Sequence, residues 1–246
     1  MKREDFLNKR TLKILFFVFY TAAFLCIAAM GANLLGIVNL KHVGKIITGF
    51  IAVISGYAAS YFRALSLTEK RRYTVIKNTL IFIFVFYIMV LVDFTLIDDS
   101  LGRNIFNIYN WNTTAFSDYM NRNTNLVPFA TVRLFINAVK NSALPLSAVL
   151  ENLLGNLAAF MPLPFFLACL FKYFNKWHRV FIAVLLSVMT VELLQLLFLT
   201  GSSDIDDVIL NTVGAMLLYG ILNIKTVSRF LSNITFGVWE KNNGKV

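Results

Sequence analysis

Six long apolar stretches, separated by polar connections, dominate the chain. They run approximately through residues 14–35, 43–62, 75–97, 150–171, 181–199 and 207–222. Each approaches the roughly 20 apolar residues that a helix needs to cross about 30 Å of hydrocarbon. The pattern predicts an all-α fold, a polytopic transmembrane helix bundle of about six spans. The first stretch is too long for the apolar core of a signal peptide and is interpreted as a retained span.

The composition favours membrane insertion over a soluble fold. Hydrophobic residues make up 58% of the chain and charged residues only 15%, whereas a soluble domain carries about 25% charged residues. The net charge of +10 does not indicate a nucleic-acid partner. It is explained by basic residues that flank the spans, so no nucleic acid is expected.

The distribution of the basic residues predicts the orientation of the spans, because retained loops are enriched in Lys and Arg. Seventeen of the 23 Lys and Arg residues lie at the N-terminus, in the connections after the second and fourth spans, and in the C-terminal tail. We therefore expect both termini to be cytoplasmic. The connection 98–149 and the acidic stretch 201–206 are then outside.

The long connection 98–149 has two unlike halves. Up to about residue 125 it is rich in Asn and turn-forming residues, as in a solvated loop. The second half is too apolar for such a loop and too interrupted by proline and basic residues for a span. We expect an interfacial or re-entrant helix at about 129–139, with Arg133, Asn137 and Lys140 on one polar stripe. A helix that only caps the bundle is the alternative.

Polar residues interrupt four of the predicted spans at similar depths. At 1.5 Å per residue, Glu192 lies about 10 Å and Gln195 about 6 Å below the outer end of the fifth span. An ionisable residue inside a span costs roughly 2.5 to 3.5 kcal/mol on insertion scales, so it is by default a site hypothesis. We expect these groups to converge on one outward-facing polar pocket. They are Asp93, Asn152, Asn156, Glu192, Gln195 and Asn211.

An acidic run, Asp204, Asp206 and Asp207, stands where the sixth span begins. One interpretation is helix capping, because acidic residues are favoured at a helix N-terminus by its dipole. The other is a part in the polar pocket. The Asn and Gln residues of the spans have a similar alternative, since such side chains often serve only as hydrogen bonds between helices. Glu192 has few inexpensive structural roles in lipid and is the strongest pocket candidate.

Pro162 and Pro164 interrupt the predicted fourth span near its middle. Proline lacks an N–H donor and clashes with the preceding turn, so the helix should kink or break here. The carbonyl groups freed by the break are expected to face the pocket.

These elements together resemble the VanZ-like family of bacterial membrane proteins. The resemblance covers about residues 73–224 and rests on four motifs. They are Asn-Leu-Val-Pro-Phe at 125–129, Asn156 with Phe160 and Pro162, Glu192 with Gln195, and the run 204–212 with Gly214 and Ala215. The chain departs from the family pattern near Gly201, where an Arg is common before the acidic run. Two N-terminal spans at 1–72 look like an addition to the family's core, and 225–246 would be a cytoplasmic tail.

The resemblance implies a place in the bacterial cell membrane and association with the cell envelope. For the founding members of the family it implies resistance to lipoglycopeptide antibiotics of the teicoplanin type. Lipid-linked wall precursors and such antibiotics both present polar groups at the outer leaflet, so they are the expected partners beside membrane lipid. The expected ligand pocket comprises Asn125, Arg133, Asn152, Asn156, Glu192, Gln195, Asp204, Asp206, Asp207 and Asn211.

Three function classes stay open. The first is a noncatalytic binder that grips a lipid head group or an amphiphilic drug. The second is an intramembrane enzyme acting on a lipid head group, with Glu192 as general acid or base and the three aspartates around a divalent cation. The third is a small transporter, suggested by the broken fourth span. The sequence shows no His cluster, Cys site or phosphate loop, so catalytic residues are not assigned and no cofactor beyond that cation is expected.

Overall fold

The computed structural model describes residues 8–243. Six helices in this part of the chain are long and apolar enough to cross a membrane, so the predicted all-α fold with six spans is confirmed. They cover Lys9–Leu34, Val43–Leu65, Glu69–Ile97, Leu146–Leu170, Trp177–Phe198 and Ile205–Leu222. Many large apolar side chains on these helices are exposed, as expected where a helix faces lipid rather than water.

The described residues form eleven α-helices and two very short strands. The helices are α1 (Lys9–Leu34), α2 (His42–Leu65), α3 (Glu69–Val92), α4 (Thr113–Asn123), α5 (Ala130–Lys140), α6 (Leu146–Ala159), α7 (Pro162–Leu170), α8 (Trp177–Phe198), α9 (Ile205–Leu222), α10 (Lys225–Ile234) and α11 (Val238–Asn243). The strands are β1 (Thr124–Asn125) and β2 (Ser203–Asp204). A π-helical turn, Asp93–Ile97, continues α3.

The chain divides into two compact units, and the first consists of the described residues of 1–90 and 228–246. Helices α1 and α2 pack along their lengths, with Gly56 against the methyl group of Ala23. The Tyr57 hydroxyl donates to the carbonyl of Ile234 at 2.9 Å, which fixes the end of α10 to α2. Trp239 is fully buried in this unit. A half-open, largely apolar cavity of about 530 Å³ lies between α1, α2 and α3.

The second unit, residues 91–227, contains every polar residue proposed for the pocket. Helix α9 packs against α6, α7 and α8. The approach of α6 to α9 is very close at Gly214, where a Cβ atom would lie 1.8 Å from the carbonyl oxygen of Leu157. Only glycine allows these two backbones to approach so closely, so α9 is held as the central helix of this unit.

The fourth span is broken at the prolines, as predicted. Helix α6 ends at Ala159 and α7 begins at Pro162. The carbonyl of Ala158 accepts from the Met161 amide and that of Phe160 accepts from the Leu163 amide, both at 3.1 Å. These two carbonyl groups therefore close the turn between the helices and are not left for the pocket.

A helix is also present where the interfacial element was predicted. It is α5, Ala130–Lys140, one residue later than the predicted range 129–139. Arg133, Asn137 and Lys140 are all exposed on it, which agrees with one polar stripe. The position of α5 relative to the bilayer stays a prediction.

Candidate functional site

Four acidic side chains are buried together where α8 ends and α9 begins. We call Glu192, Asp204, Asp206 and Asp207 the carboxylate cluster; each is at most 8% exposed. A short turn after α8 and the strand β2 separate Glu192 from the three aspartates. Carboxylates are rarely buried without partners, so the contacts of each one define what the cluster does.

Asp204 joins the start of α9 to the connection that precedes α5. Strands β1 and β2 pair in parallel and place Asn125 opposite Asp204. The Asn125 side-chain amide donates to Asp204 Oδ1 at 3.0 Å, and the Thr131 hydroxyl donates to Oδ2. The Asp206 amide also donates to Oδ1, at 2.9 Å. Asp204 thus caps α9 and at the same time fixes the Asn-Leu-Val-Pro-Phe segment.

Asp206 caps a different helix, α5. Its Oδ1 accepts from the amide of Phe129, and its Oδ2 accepts from the amide of Val132 at 3.1 Å. Phe129 stands before α5 with a left-handed backbone (φ 62°), and no side chain of its own segment caps the helix. The N-terminus of a helix carries unpaired amides and a partial positive charge, so a carboxylate placed there from another helix is stabilising.

Asp207 connects α9 with α6. The Asn156 side-chain amide donates to its carboxylate, and the Asn211 amide donates to its backbone carbonyl at 2.8 Å. Asn156 and Asn211 therefore both lie beside Asp207, although they are 55 positions apart in the chain. This contact places the polar residues of the fourth and sixth spans together.

Glu192 and Gln195 project from the same face of α8 into this region. Glu192 Oε2 accepts from the Asp204 amide at 3.1 Å. The Gln195 amide donates to the carbonyl of Thr95 at 2.9 Å, which attaches the π-helical turn to α8. The charge of Asp207 also acts on Glu192, so the two buried carboxyl groups lie within electrostatic range of each other.

Arg103 brings a positive charge to the cluster from the loop after the third span. Its charge acts on Glu192 and on Asp207. The guanidinium lies directly over Gly201, where a Cβ atom would stand 1.5 Å from Nη1. A cation therefore lies beside position 201, and it comes from Arg103.

The turn between α8 and α9 is anchored by the same loop and by α4. The Tyr119 hydroxyl donates to the carbonyls of Thr200 at 2.9 Å and Gly201 at 3.1 Å. Burial raises the pKa of Tyr119 to about 12, so the phenol remains a donor at physiological pH. The Asn107 amide donates to the carbonyl of Leu199 at 2.9 Å. These bonds hold the turn, and with it the Gly201 backbone, in one conformation.

Several buried polar atoms at the site keep unused hydrogen-bonding capacity. Within residues 8–243, Gln195 Oε1, Asn211 Oδ1 and Thr212 Oγ1 have no hydrogen-bond partner. The same holds for Nε and Nη1 of Arg103. An unsatisfied buried polar group typically costs about 1 to 3 kcal/mol, so such a group needs an explanation.

The structure brings most of the proposed pocket residues into two adjacent hydrogen-bonded groups. Asp204 is bonded to Asn125, Glu192 and Asp206, whereas Asp207 is bonded to Asn156 and Asn211, and Gln195 lies one turn from Glu192 on α8. The other two, Arg133 on α5 and Asn152 on α6, are exposed. Both lack a side-chain hydrogen bond to the carboxylate cluster in the described part of the chain.

Three residues at the site were missed by sequence analysis: Arg103, Tyr119 and Thr131. Their partners are far away in the chain, since Tyr119 and Thr200 are 81 residues apart and Thr131 and Asp204 are 73 apart. No periodicity or spacing connects such positions. The one available signal was that Arg103 is a basic residue on the side of the membrane where the sequence predicts few of them.

The carboxylate oxygens of Asp204 and Asp206 already accept hydrogen bonds from the chain itself. Each of these four oxygens has at least one donor. Over residues 8–243 no group of three or more His, Cys, Asp or Glu side chains is arranged to hold a metal ion. The oxygens of Asp204 and Asp206 are held by N–H and O–H donors of the chain.

Part of this chain is similar to known proteins. A family model described as VanZ/LLP1 matches residues 84–226. Protein VanZ of Enterococcus faecium is 31% identical over 116 residues, which are 46% of this chain and 62% of that protein, so the chain spans about six-tenths of its curated relative. No solved structure matches at a significant level. Because the matched region covers more than half of the chain and contains the whole carboxylate cluster, this multi-pass membrane protein belongs to the VanZ/LLP1 family.

Proposed function

We propose that the carboxylate cluster and the buried amides beside it bind the polar head group of an amphiphilic ligand. We further propose that this binding gives the chain a role in the bacterial cell envelope like that of VanZ-like factors in lipoglycopeptide (teicoplanin) resistance. The single observation that carries the proposal is unused hydrogen-bonding capacity in a buried and rigidly framed polar site.

The carboxylates that hold the helices in place are not the groups that keep free hydrogen-bonding capacity. Asp204 and Asp206 are saturated by donors of the chain and fix α5, α9 and the strand pair. Glu192, in contrast, accepts one bond through Oε2, and Gln195 Oε1 and Asn211 Oδ1 accept none within residues 8–243. These free atoms are acceptors, so the complementary ligand presents hydroxyl or ammonium donors. Binding sites of this kind use a few fixed polar groups to orient a ligand.

The ligand class follows from where the site lies along the spans. The cluster stands at the ends of two membrane-spanning helices, at the side that the basic residues predict to be outside. Molecules that present polar groups there are membrane lipids, lipid-linked cell-wall precursors and lipoglycopeptides with an acyl anchor. An apolar tail of such a ligand would lie along the exposed apolar side chains of the spans.

A catalytic alternative is supported by Glu192 and Asp207. Two buried carboxyl groups that interact electrostatically are an arrangement found in general acid–base sites. In that case the chain would act on the head group that it binds, with Glu192 as the acid or base. Release of a product from the bound amphiphile would distinguish this alternative from binding alone.

Mass spectrometry of the purified protein tests the binding proposal. We expect wild-type protein purified in a mild detergent to carry an amphiphile at near-stoichiometric amounts, and Glu192→Gln to lose most of it because one acceptor oxygen is replaced by an NH₂ donor. Glu151→Gln is the matched control, since Glu151 is an exposed carboxylate on α6. Equal recovery from wild type and Glu192→Gln, or no bound amphiphile in either, would contradict the proposal.

The outward orientation of the site has its own test. We expect a membrane-impermeant thiol reagent, applied to intact cells, to modify a cysteine placed at Asn112 or Ser202 and to spare one at Lys70 or Lys176. All four side chains are exposed, so the difference reports the side of the membrane and not burial. The experiment uses a background in which Cys26 and Cys169 are replaced by alanine. The reverse labelling pattern would place the carboxylate cluster on the cytoplasmic side.

A further inference from the structure

We propose that Arg103 forms an oxyanion-binding half of the same site, so that the ligand carries a phosphate or carboxylate group beside its hydrogen-bond donors. This inference rests on the proposed function and narrows the chemistry of the head group. It is carried by the surroundings of the Arg103 side chain.

Arg103 is a half-buried cation, and two of its donor atoms are buried without a hydrogen-bond acceptor. Its Nε and Nη1 atoms are inaccessible to solvent and donate no hydrogen bond within residues 8–243. It forms no ion pair with any carboxylate of this part of the chain, although its charge acts on Glu192 and Asp207. A guanidinium is always charged and presents its donors in a planar fork that matches the two oxygens of a carboxylate or phosphate. An oxyanion is therefore the ligand group that fits these unused donors.

The chain makes room for this side chain at Gly201. Gly201 has a left-handed backbone (φ 64°), and a Cβ atom there would lie 1.5 Å from Nη1 and 2.4 Å from Cζ of Arg103. Any larger residue would displace the guanidinium. Tyr119 holds the Gly201 carbonyl from the other side, so the turn that supports Arg103 is fixed before a ligand arrives. Such preorganisation lowers the entropic cost of binding.

Two of the carboxylates nearby are compensated by hydrogen-bond donors other than Arg103. Asp206 is stabilised by amides at the start of α5, and Asp204 by the Asp206 amide and two side-chain donors. Backbone amides at helix N-termini compensate a carboxylate without a cation. The charge of Arg103 acts on the other two carboxyl groups, Glu192 and Asp207. A ligand with an oxyanion flanked by hydroxyl or ammonium groups satisfies Arg103 and the acceptors Gln195 and Asn211 together.

Three amphiphiles that share the same tail and differ in the head group show which head group the site binds. We would measure the thermal unfolding of the protein in dodecyl maltoside micelles with added dodecyl phosphate, N-dodecanoyl alanine or dodecyl glucoside. At least one of the two oxyanions is expected to raise the melting temperature in a dose-dependent manner, by the usual linkage of binding to stability. A larger effect of dodecyl phosphate points to a phosphate head group, and a larger effect of N-dodecanoyl alanine points to a carboxylate.

Two variants take the guanidinium out of the site. One replaces Arg103, and the other displaces its side chain. Arg103→Gln is expected to weaken oxyanion binding at least tenfold, and Gly201→Ala to weaken it similarly by displacing a side chain that keeps its charge. Arg103→Lys should retain part of the effect, because lysine supplies the charge without the fork. Arg122→Gln is the control, since Arg122 is an exposed arginine on α4. Unfolding without added amphiphile shows which variants keep the fold.

The failures of the two proposals are distinguishable. The Arg103 inference is overturned if dodecyl glucoside stabilises the wild type as strongly as both oxyanions do, if none of the three amphiphiles stabilises it, or if folded Arg103→Gln keeps the full oxyanion effect. Head-group binding at Glu192 survives each of these results. It fails instead if wild type and Glu192→Gln carry the same amount of co-purified amphiphile.

Discussion

Replacing Asp206 by alanine is expected to release α5 from α9 and to lower the free energy of unfolding by about 2 to 5 kcal/mol. The side chain is 1% exposed and accepts from the amides of Phe129 and Val132. Hydrogen bonds to a charged group contribute about 1.5 to 3 kcal/mol each, and their loss leaves amides unpaired. Asp206→Asn should also destabilise, because an amide group directs its NH₂ at one of these two N–H donors. A residue that only capped its own helix would tolerate Asn, which caps about as strongly as Asp.

Limited proteolysis distinguishes a local release from global unfolding. Trypsin is expected to cut Asp206→Ala after Arg133 and Lys140, both exposed on α5, at protease levels that leave these sites intact in the wild type. Asp118→Ala serves as the matched control, because Asp118 is exposed on the neighbouring helix α4. Unchanged melting and unchanged cleavage of Asp206→Ala would show that α5 does not depend on this carboxylate.

The role of Asp206 illustrates what sequence analysis could and could not resolve. The position of the acidic run at the start of a span indicated capping or a pocket, and it could not reveal that the first aspartate caps α9 while the second caps α5. Asp204 caps its own helix. Asp206 bonds across 77 and 74 residues to a segment with no recognisable cap. Helix periodicity reports on neighbours within a helix, whereas such contacts depend on how the helices pack.

The spans themselves could be predicted because a bilayer imposes a simple constraint. Backbone groups in hydrocarbon must be satisfied within the segment, so each apolar stretch of sufficient length becomes a helix. Pro162 and Pro164 broke the fourth span where they were expected to do so. The helix α5 could be located as well, since its apolar and polar residues follow the helical period.

The predicted depths of the pocket residues depended on the same regular rise per residue. It placed Glu192, Asn156 and Asn211 at comparable heights, and in the structure all three bond to Asp204 or Asp207. It placed Asn152 there too, yet Asn152 is exposed. Depth fixes the height of a side chain and leaves its direction around the helix open. Asn152 and Asn156 are four residues apart, and the bend after Ala159 and the packing against α9 decide which of them meets the cluster.

Glu192→Gln is expected to abolish function while preserving the fold. The glutamine oxygen can still accept from the Asp204 amide, which bonds to Glu192 at 3.1 Å in the wild type. What disappears is one carboxyl oxygen, which glutamine replaces by an NH₂ donor, and a buried group of the ligand left without its partner costs about 1 to 3 kcal/mol, equivalent to roughly 5- to 150-fold in affinity. We expect cells expressing Glu192→Gln to be as sensitive to teicoplanin as cells without the protein. The wild type and the control Glu151→Gln should protect them.

A comparison of the wild type with Asp207→Asn decides whether a divalent cation takes part. If Asp207 contributes to a cation site, Mg²⁺ or Ca²⁺ should raise the melting temperature of the wild type and not that of Asp207→Asn. We expect no such rise, because the Asp204 and Asp206 oxygens already accept from the chain. Asp207→Asn should then retain more activity than Glu192→Gln, since an asparagine oxygen can still accept from Asn156. A stably folded Glu192→Gln protein that protects cells as well as the wild type would show that the carboxyl group of Glu192 is not required. A cation-dependent rise lost in Asp207→Asn would instead move the site from head-group binding towards metal-assisted chemistry.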